Sequence, residues 1–304
     1  MRNRFAALLT AEARINPSII LVTGDLGYGV LTDFAAELPN QFINAGISEQ
    51  SMMSLSGGMA SRDFHPFVYS IANFPTFRCL EQIRNDISYM GNRVCIVSVG
   101  AGFAYGSQGY SHHAIEDIAI MRAIPNLQIY NPADSIEMEF ALNEILDSPN
   151  PSYLRLGKGG EPNIHDQALE SMSNPIKVRQ GDRGALIFSG TIGVEVLHAW
   201  DLLREKGISP SVYSLPRIFP APDLSMLGSD RKTGPILTVE EHSLTGGFGS
   251  AFLEWSSDQK LNLEVQRMGV RPESNGEIGS QSYQRRIHEI DAQSIVNTFL
   301  NCLR

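Results

Sequence analysis

The sequence predicts an α/β protein of two domains, each a mostly parallel sheet flanked by helices. Three observations carry that reading. Short runs are apolar at every position, as in Ile19-Ile20-Leu21-Val22, which marks strands buried on both faces. Helical stretches separate these runs, the alternation that builds parallel sheets. A segment rich in Gly, Pro, Asn, Asp and Ser then interrupts the pattern, after which it restarts. The divisions follow as 1–160 for the first domain, 161–183 for a linker and 184–304 for the second domain.

In the first domain Phe5, Leu8 and Leu9 give one helical stripe. Strands are expected at Ile19–Val22, Gln41–Asn44, His65–Tyr69, Val94–Val99, Leu127–Tyr130 and Ser152–Leu156. Helices are expected from about Ser48 to Ala60, from near Pro75, from near Ala114, and from Pro132-Ala133-Asp134-Ser135 to Leu146. In the second domain, expected strands at Ala185–Ser189, Pro210–Leu215, Ile236–Val239 and Leu263–Met268 alternate with helices at Val194–Lys206 and Gly247–Ser256. One helix, Ile287–Leu303, is expected to close the chain.

Composition excludes several classes of function. The 304 residues carry a net charge of −9, from 24 basic and 33 acidic side chains, which argues against non-specific nucleic-acid binding. The aliphatic run near the start is far too short to cross a membrane, and Met1 to Ile15 lacks the apolar core and cleavage site of a signal peptide. Cys79, Cys95 and Cys302 are odd in number and widely spaced, so no disulfide framework is signalled and a reducing, cytoplasmic setting is expected. GxGxxG, GxxxxGK[ST] and HExxH are all absent, and His112-His113 lacks further ligands at helical spacing, so no metal site is assigned.

Four features remain. In Gly46-Ile47-Ser48-Glu49-Gln50 a strand hands over to a helix whose continuation, Ser51 to Ala60, is small and nearly uncharged. Such a helix is buried on most sides, which sets Glu49 at the mouth of an interface and makes it a functional candidate. In Asn73-Phe74-Pro75-Thr76-Phe77 two phenylalanines three apart share a face at a helix start; core packing and ring binding both fit. Gly106 to Asp117 is a loop at a strand's C-terminal end, where α/β folds place ligands, and it holds His112 and His113. Arg155 and Lys158 flank the end of the last strand of the first domain, either as solvated charges or as holders of an anion.

With these features in this order, the chain resembles the pyrimidine-binding and C-terminal domains of transketolases over nearly all its length. Phe42-Ile43-Asn44-Ala45-Gly46-Ile47-Ser48-Glu49-Gln50 carries most of the specificity, with Gly24-Asp25-Leu26-Gly27, Gly190-Thr191 and Glu240 to Gly249 in support. The resemblance implies thiamin diphosphate as cofactor and transfer of a two-carbon ketol unit from a ketose to an aldehyde. No side chain can stabilise the carbanion left by such a cleavage, whereas this cofactor can. By the same resemblance Glu49 bonds the aminopyrimidine, Phe74 and Phe77 pack around it, and Asp25 lies near the thiazolium. His112 shuttles protons at substrate oxygens, Gln108 and His113 flank it, and Arg2, Arg155 and Lys158 hold a sugar phosphate. The family's loop aspartate is Gln108 here, which points away from ordinary pentose phosphates to a modified or branched sugar, or to a sugar attached to a nucleotide.

The family's metal-binding Gly-Asp-Gly has no counterpart, since Gly24-Asp25 is followed by Leu26. The resemblance therefore implies a partner, an N-terminal-half subunit that holds the diphosphate through Mg2+ or Ca2+. The expected assembly is α2β2, with this chain as β and self-association through its first domain. A deoxyxylulose-phosphate-synthase-like or 2-oxo acid decarboxylating subunit, and a non-catalytic partner subunit, stay open as alternatives.

Overall fold

A computed structural model describes residues 1–228, 233–271 and 276–303. The first sheet is built from β1 (Ile19–Thr23), β2 (Phe42–Asn44), β3 (His65–Ile71), β4 (Cys95–Val99), β5 (Gln128–Tyr130) and β6 (Ser152–Leu156). Among its helices are α1 (Arg2–Ile15), α2 (Thr32–Glu37), α3 (Glu49–Ala60), α4 (Leu80–Gln82), α5 (Asp117–Arg122) and α6 (Ser135–Asp147). The second sheet holds β7 (Ile176–Arg179), β8 (Ala185–Ser189), β9 (Ser211–Ser214), β11 (Ile236–Ser243) and β12 (Val265–Val270). Its helices are α7 (Gly193–Glu205), α8 (Phe248–Asp258), α9 (Gln281–Ile287) and α10 (Ala292–Cys302). A further strand, β10 (Arg217–Phe219), leaves the second domain and pairs antiparallel with β5, so the first sheet runs β10-β5-β6-β4-β3-β1-β2. The second runs β12-β11-β8-β9-β7, parallel except for β7.

Period-2 geometry explains why β1 is apolar throughout. Ile20 and Val22 join one core with Met52 and Met53 of α3, and Ile19 and Leu21 join another with Phe5 and Leu9 of α1. The first of these cores is continuous with Ile187, Phe248 and Trp255 of the second domain. Because β1 to β6 are parallel, their C-terminal ends lie along one edge. The chain passes from β1 outward to β2 and then back to β3 on β1's other side, a reversal of direction that opens a crevice at that edge.

Three expectations need correction. No regular helix starts at Pro75: a turn leads into 3-10 geometry at Phe77–Cys79, then α4, then a π-helix at Ile83–Tyr89. The Thr76 hydroxyl takes the Ala72 carbonyl, and the Asn92 amide takes that of Asp86, which diverts carbonyls from regular ladders. The segment 161–183 is not all linker, since Ile-Lys-Val-Arg alternates well enough for β7 to pair with β9. The closing helix starts at Ala292 and not at Ile287, where the separate α9 ends, because Glu289 turns left-handed (φ 56°) and Asp291 caps α10 by accepting from the Ser294 amide.

The segment after residue 160 is also tied down. Asp134 caps α6 by accepting from Ile136 and Glu137, and accepts again from Ile164 (2.8 Å) and His165 (3.1 Å). His165 Nε2 meets Glu137 Oε1 at 2.7 Å. Burial lowers the His165 pKa, but the hydrogen bond and charge of Glu137, with Asp134 behind it, outweigh this and leave it raised.

This packing can be tested at two points. A Cβ on Gly57 of α3 would stand 2.8 Å from the Asp86 carbonyl oxygen in the π-helix. Gly57→Ala should therefore cost about 1–3 kcal/mol in urea unfolding, and a neutral result would show that the two helices can part. The His165–Glu137 contribution is full below pH about 6.5 and fades as pH rises through the raised pKa. His165→Asn should remove that pH dependence; an unaltered stability profile would refute the pairing.

Candidate functional site

Glu49 is delivered by a sharp handover. β2 ends at Asn44, Gly46 turns the chain at φ 72°, and α3 begins at Glu49 itself. The carboxylate thus sits at a helix N-terminus, where the macrodipole favours negative charge, yet it is only 7% exposed. Arg78 donates to Glu49 Oε1 at 2.9 Å from the 3-10 turn Phe77–Cys79, and its guanidinium lies 4.0 Å above the Phe74 ring. Phe74 in turn meets the His112 ring edge-on, with centroids 5.3 Å apart. Glu49, Arg78, Phe74 and His112 form one contiguous line. Phe77, expected on a helix face with Phe74, lies instead one hydrogen-bonded turn on, its amide bonding the Asn73 carbonyl, and is 38% exposed.

His112 ends a loop of two 3-10 turns, Gly106–Gln108 and Tyr110–His112, separated by Gly109 at φ 83°. Asn73 ties this loop to the end of β3 by donating to the carbonyls of Ser111 (3.2 Å) and His113 (2.6 Å). Burial, followed by the charges of His113 and Arg78, lowers the His112 pKa below its ordinary value. The imidazole is therefore largely neutral at pH 7, with one nitrogen to donate and one to accept. Its Nδ1 lies 3.0 Å from the Ser111 hydroxyl. Gln108 is exposed on the same loop.

Asp25 follows β1 in a left-handed conformation (φ 57°). Its exposed carboxylate accepts from Tyr28 (2.6 Å) and Asn44 (3.2 Å), bonds that hold its pKa below the usual range. It lines a cavity of about 260 Å³ with Arg2, Tyr28, Tyr69, Ser70 and Tyr105. Arg2 opens α1, where the dipole disfavours a cation, and its Nε is buried with no hydrogen-bond partner among the described residues. That nitrogen would stand 3.6 Å from a Cβ on Gly159, so Arg2 abuts the turn that carries the exposed Lys158.

Two expected residues lie elsewhere. Arg155, 2% exposed, donates to Asp117 (2.7 Å), Asn131 (3.2 Å) and the carbonyls of Ala114 (2.6 Å) and Glu241 (3.3 Å). The sequence offers it as an anion holder, but its strand position turns it into the body of the protein, where a buried carboxylate claims it. Burial works against the Asp117 charge, but Arg155, helped by His242 and Tyr153, holds its pKa below the ordinary value. His113 is likewise 3% exposed, with Nε2 3.0 Å from the Gly106 carbonyl and its ring edge-on to Phe103. Sequence reasoning misses Arg78, whose only signal there is a cation directly after Phe77.

The arrangement suits a flat heteroaromatic ring: a sheltered carboxylate at one end, aromatic surface beside it, and a neutral histidine opposite. Among the described residues no group of three or more His, Cys, Asp or Glu side chains could hold a metal ion, and no helix is long and apolar enough to cross a membrane.

Residues 1–161 match the transketolase pyrimidine-binding domain and residues 175–295 the transketolase C-terminal domain. The chain is 32% identical over 306 residues to an apulose-4-phosphate transketolase subunit of Phocaeicola vulgatus, covering 100% of this chain and 97% of that one. It is 28% identical over 298 residues to a 6-deoxy-6-sulfo-D-fructose transketolase subunit of a Clostridium species, covering 97% and 92%. Among solved structures, a split-gene transketolase described as an inactive beta4 tetramer superposes with a TM-score of 0.86 at 30% identity, over 100% of this chain and 98% of that one.

The Asp117–Arg155 pair gives a test of where Arg155 acts. Arg155→Met should cost about 3–5 kcal/mol in urea unfolding, because Asp117 is left buried without a counter-charge. Full stability combined with a lost affinity for anionic sugar would restore the anion-holding role.

Proposed function

The chain belongs to the transketolase family, and from that premise we propose that it is the catalytic β subunit of a split transketolase. Its reaction would move a two-carbon ketol unit from a ketose to an aldehyde, with thiamin diphosphate as cofactor. The observation that carries the proposal is the sheltered Glu49 carboxylate, joined through Arg78 to the Phe74 ring and by that ring to His112. The cofactor, when bound, supplies the electron sink that lets a carbon–carbon bond beside a carbonyl break.

Each residue of this chain has a part. Glu49 hydrogen-bonds a nitrogen of the aminopyrimidine, in a site where little water competes. Phe74 and Phe77 flank that ring and fix its plane, and orientation of this kind supplies much of a rate enhancement. Arg78 now covers the Phe74 face and pairs with Glu49, so it must turn outward to admit the ring; half its side chain is already in solvent. His112, neutral at pH 7, takes and returns protons at substrate oxygens. Asp25 borders the reacting end. Arg2, with its unpartnered buried nitrogen, and Lys158 attract the charged tail of the substrate, and Gln108 offers an amide to a hydroxyl.

Relatives named for a sugar phosphate and for a sulfonated sugar favour a ketose with a terminal anion, modified or branched, as substrate. The diphosphate and its Mg2+ or Ca2+ fall to a separate N-terminal-half subunit, in an α2β2 assembly. Self-association through the first domain is supported by α3, whose small Ser51, Ser54 and Gly58 are exposed and admit close approach, with the apolar Leu55 exposed among them. Free cysteines, two of them buried, accord with a reducing cytoplasm.

Co-expressed with a diphosphate-binding partner, the chain should transfer glycolaldehyde units from a ketose, and Glu49→Gln should lower kcat by about 10²-fold or more. Equal rates for wild type and variant would return the chain to the reading of a non-catalytic partner.

A further inference from the structure

The loop that carries His112 is embedded in the second domain. Phe103, 1% exposed, and Ile115, 2% exposed, belong to the core formed by Leu186, Phe188, Val239 and Phe299. The Phe103 ring stacks on His288 at 4.9 Å and meets His113 edge-on at 5.1 Å. At the start of the loop lies a carboxylate from the other domain. Glu241 of β11, 3% exposed, accepts from the Phe103 amide (2.6 Å), from Gln281 (2.8 Å) and from Arg285 Nε (2.5 Å), and Arg285 is held in turn by Glu195 (3.2 Å). Gly102 turns left-handed (φ 60°) beneath it, and a Cβ there would collide with Glu241 Oε1. Domain packing alone needs only apolar contact. A buried carboxylate shared between the Phe103 amide, Gln281 and Arg285 is costly to desolvate and gives direction instead.

We propose that Glu241 is a positioning residue: the second domain, through this carboxylate, fixes the backbone at Gly102-Phe103 and so the placement of the His112 imidazole. The effect passes through the Phe103 ring to His113, the covalent neighbour of His112. The proposal rests on the role given to His112 above.

Glu241→Asp keeps the charge but is one methylene too short to reach both Arg285 and the Phe103 amide. Glu241→Gln keeps the reach and one acceptor oxygen for the Phe103 amide, but turns an NH2 toward Arg285 Nε, whose charge Glu195 still meets. In the full chain with its partner subunit, Glu241→Asp should raise amide hydrogen exchange across 102–113 by about tenfold while β1 to β3 stay unchanged. It should also lower kcat for ketol transfer about tenfold with the donor KM within about twofold, and Glu241→Gln, which still reaches the Phe103 amide, should lose clearly less of both. Unchanged exchange in 102–113, exchange raised through the whole second domain, or equal losses in both variants would overturn the proposal. If the wild-type complex transfers no ketol unit, the functional reading fails, and the exchange measurement still decides the role of Glu241.

Discussion

The Asp117–Arg155 pair is the constraint around which the two domains are arranged. Both side chains are almost wholly buried, so neither charge can be left without the other. Asp117 opens α5, Arg155 lies on β6, and the guanidinium reaches on to carbonyls of the His112 loop and of β11. One ion pair thereby fixes a helix, a strand, a loop and the neighbouring domain together. Tyr153 and His242 add a hydrogen bond (2.6 Å) and a contact at 3.9 Å to the same carboxylate. The neighbouring Glu240 meets a different demand: its carboxyl accepts from the amides of Phe248 and Gly249, while burial pushes its pKa up to about 8.

With that junction set, a division of labour appears. Strand ends of the first domain bring Glu49, Phe74 and His112 into one line and set Asp25 in a cavity at the same edge, because parallel strands end on the same side. The second domain brings none of these groups. Its contribution is mechanical, through an apolar core shared with the loop and polar groups aimed at its backbone.

Much of this is legible in the sequence, and what is not has physical reasons. Strands such as Ile19–Thr23 announce themselves because burial on both faces demands an unbroken apolar run. Glu49 is legible because a charged residue heading a small, nearly uncharged helix is unusual. The irregular turns after Pro75 are not, since side chains of Thr76 and Asn92 compete for carbonyls only once the fold has placed them. Arg155 misleads because a cation at a strand's end looks the same whether it faces solvent or a buried aspartate 38 residues away in sequence. Arg78 needs coordinates for the same reason: its partner Glu49 is 29 residues distant.

The strand β10 has a consequence for how the protein could be divided. It comes from beyond residue 184 yet closes the border of the first sheet, its Arg217 and Phe219 set beside Tyr130 and Ile129. A gene cut after residue 160 would therefore yield a fragment whose β5 offers bare amides and carbonyls to any passing chain. The two halves are separate in order along the polypeptide but woven at this seam, so severing them would invite aggregation before it revealed an autonomous module.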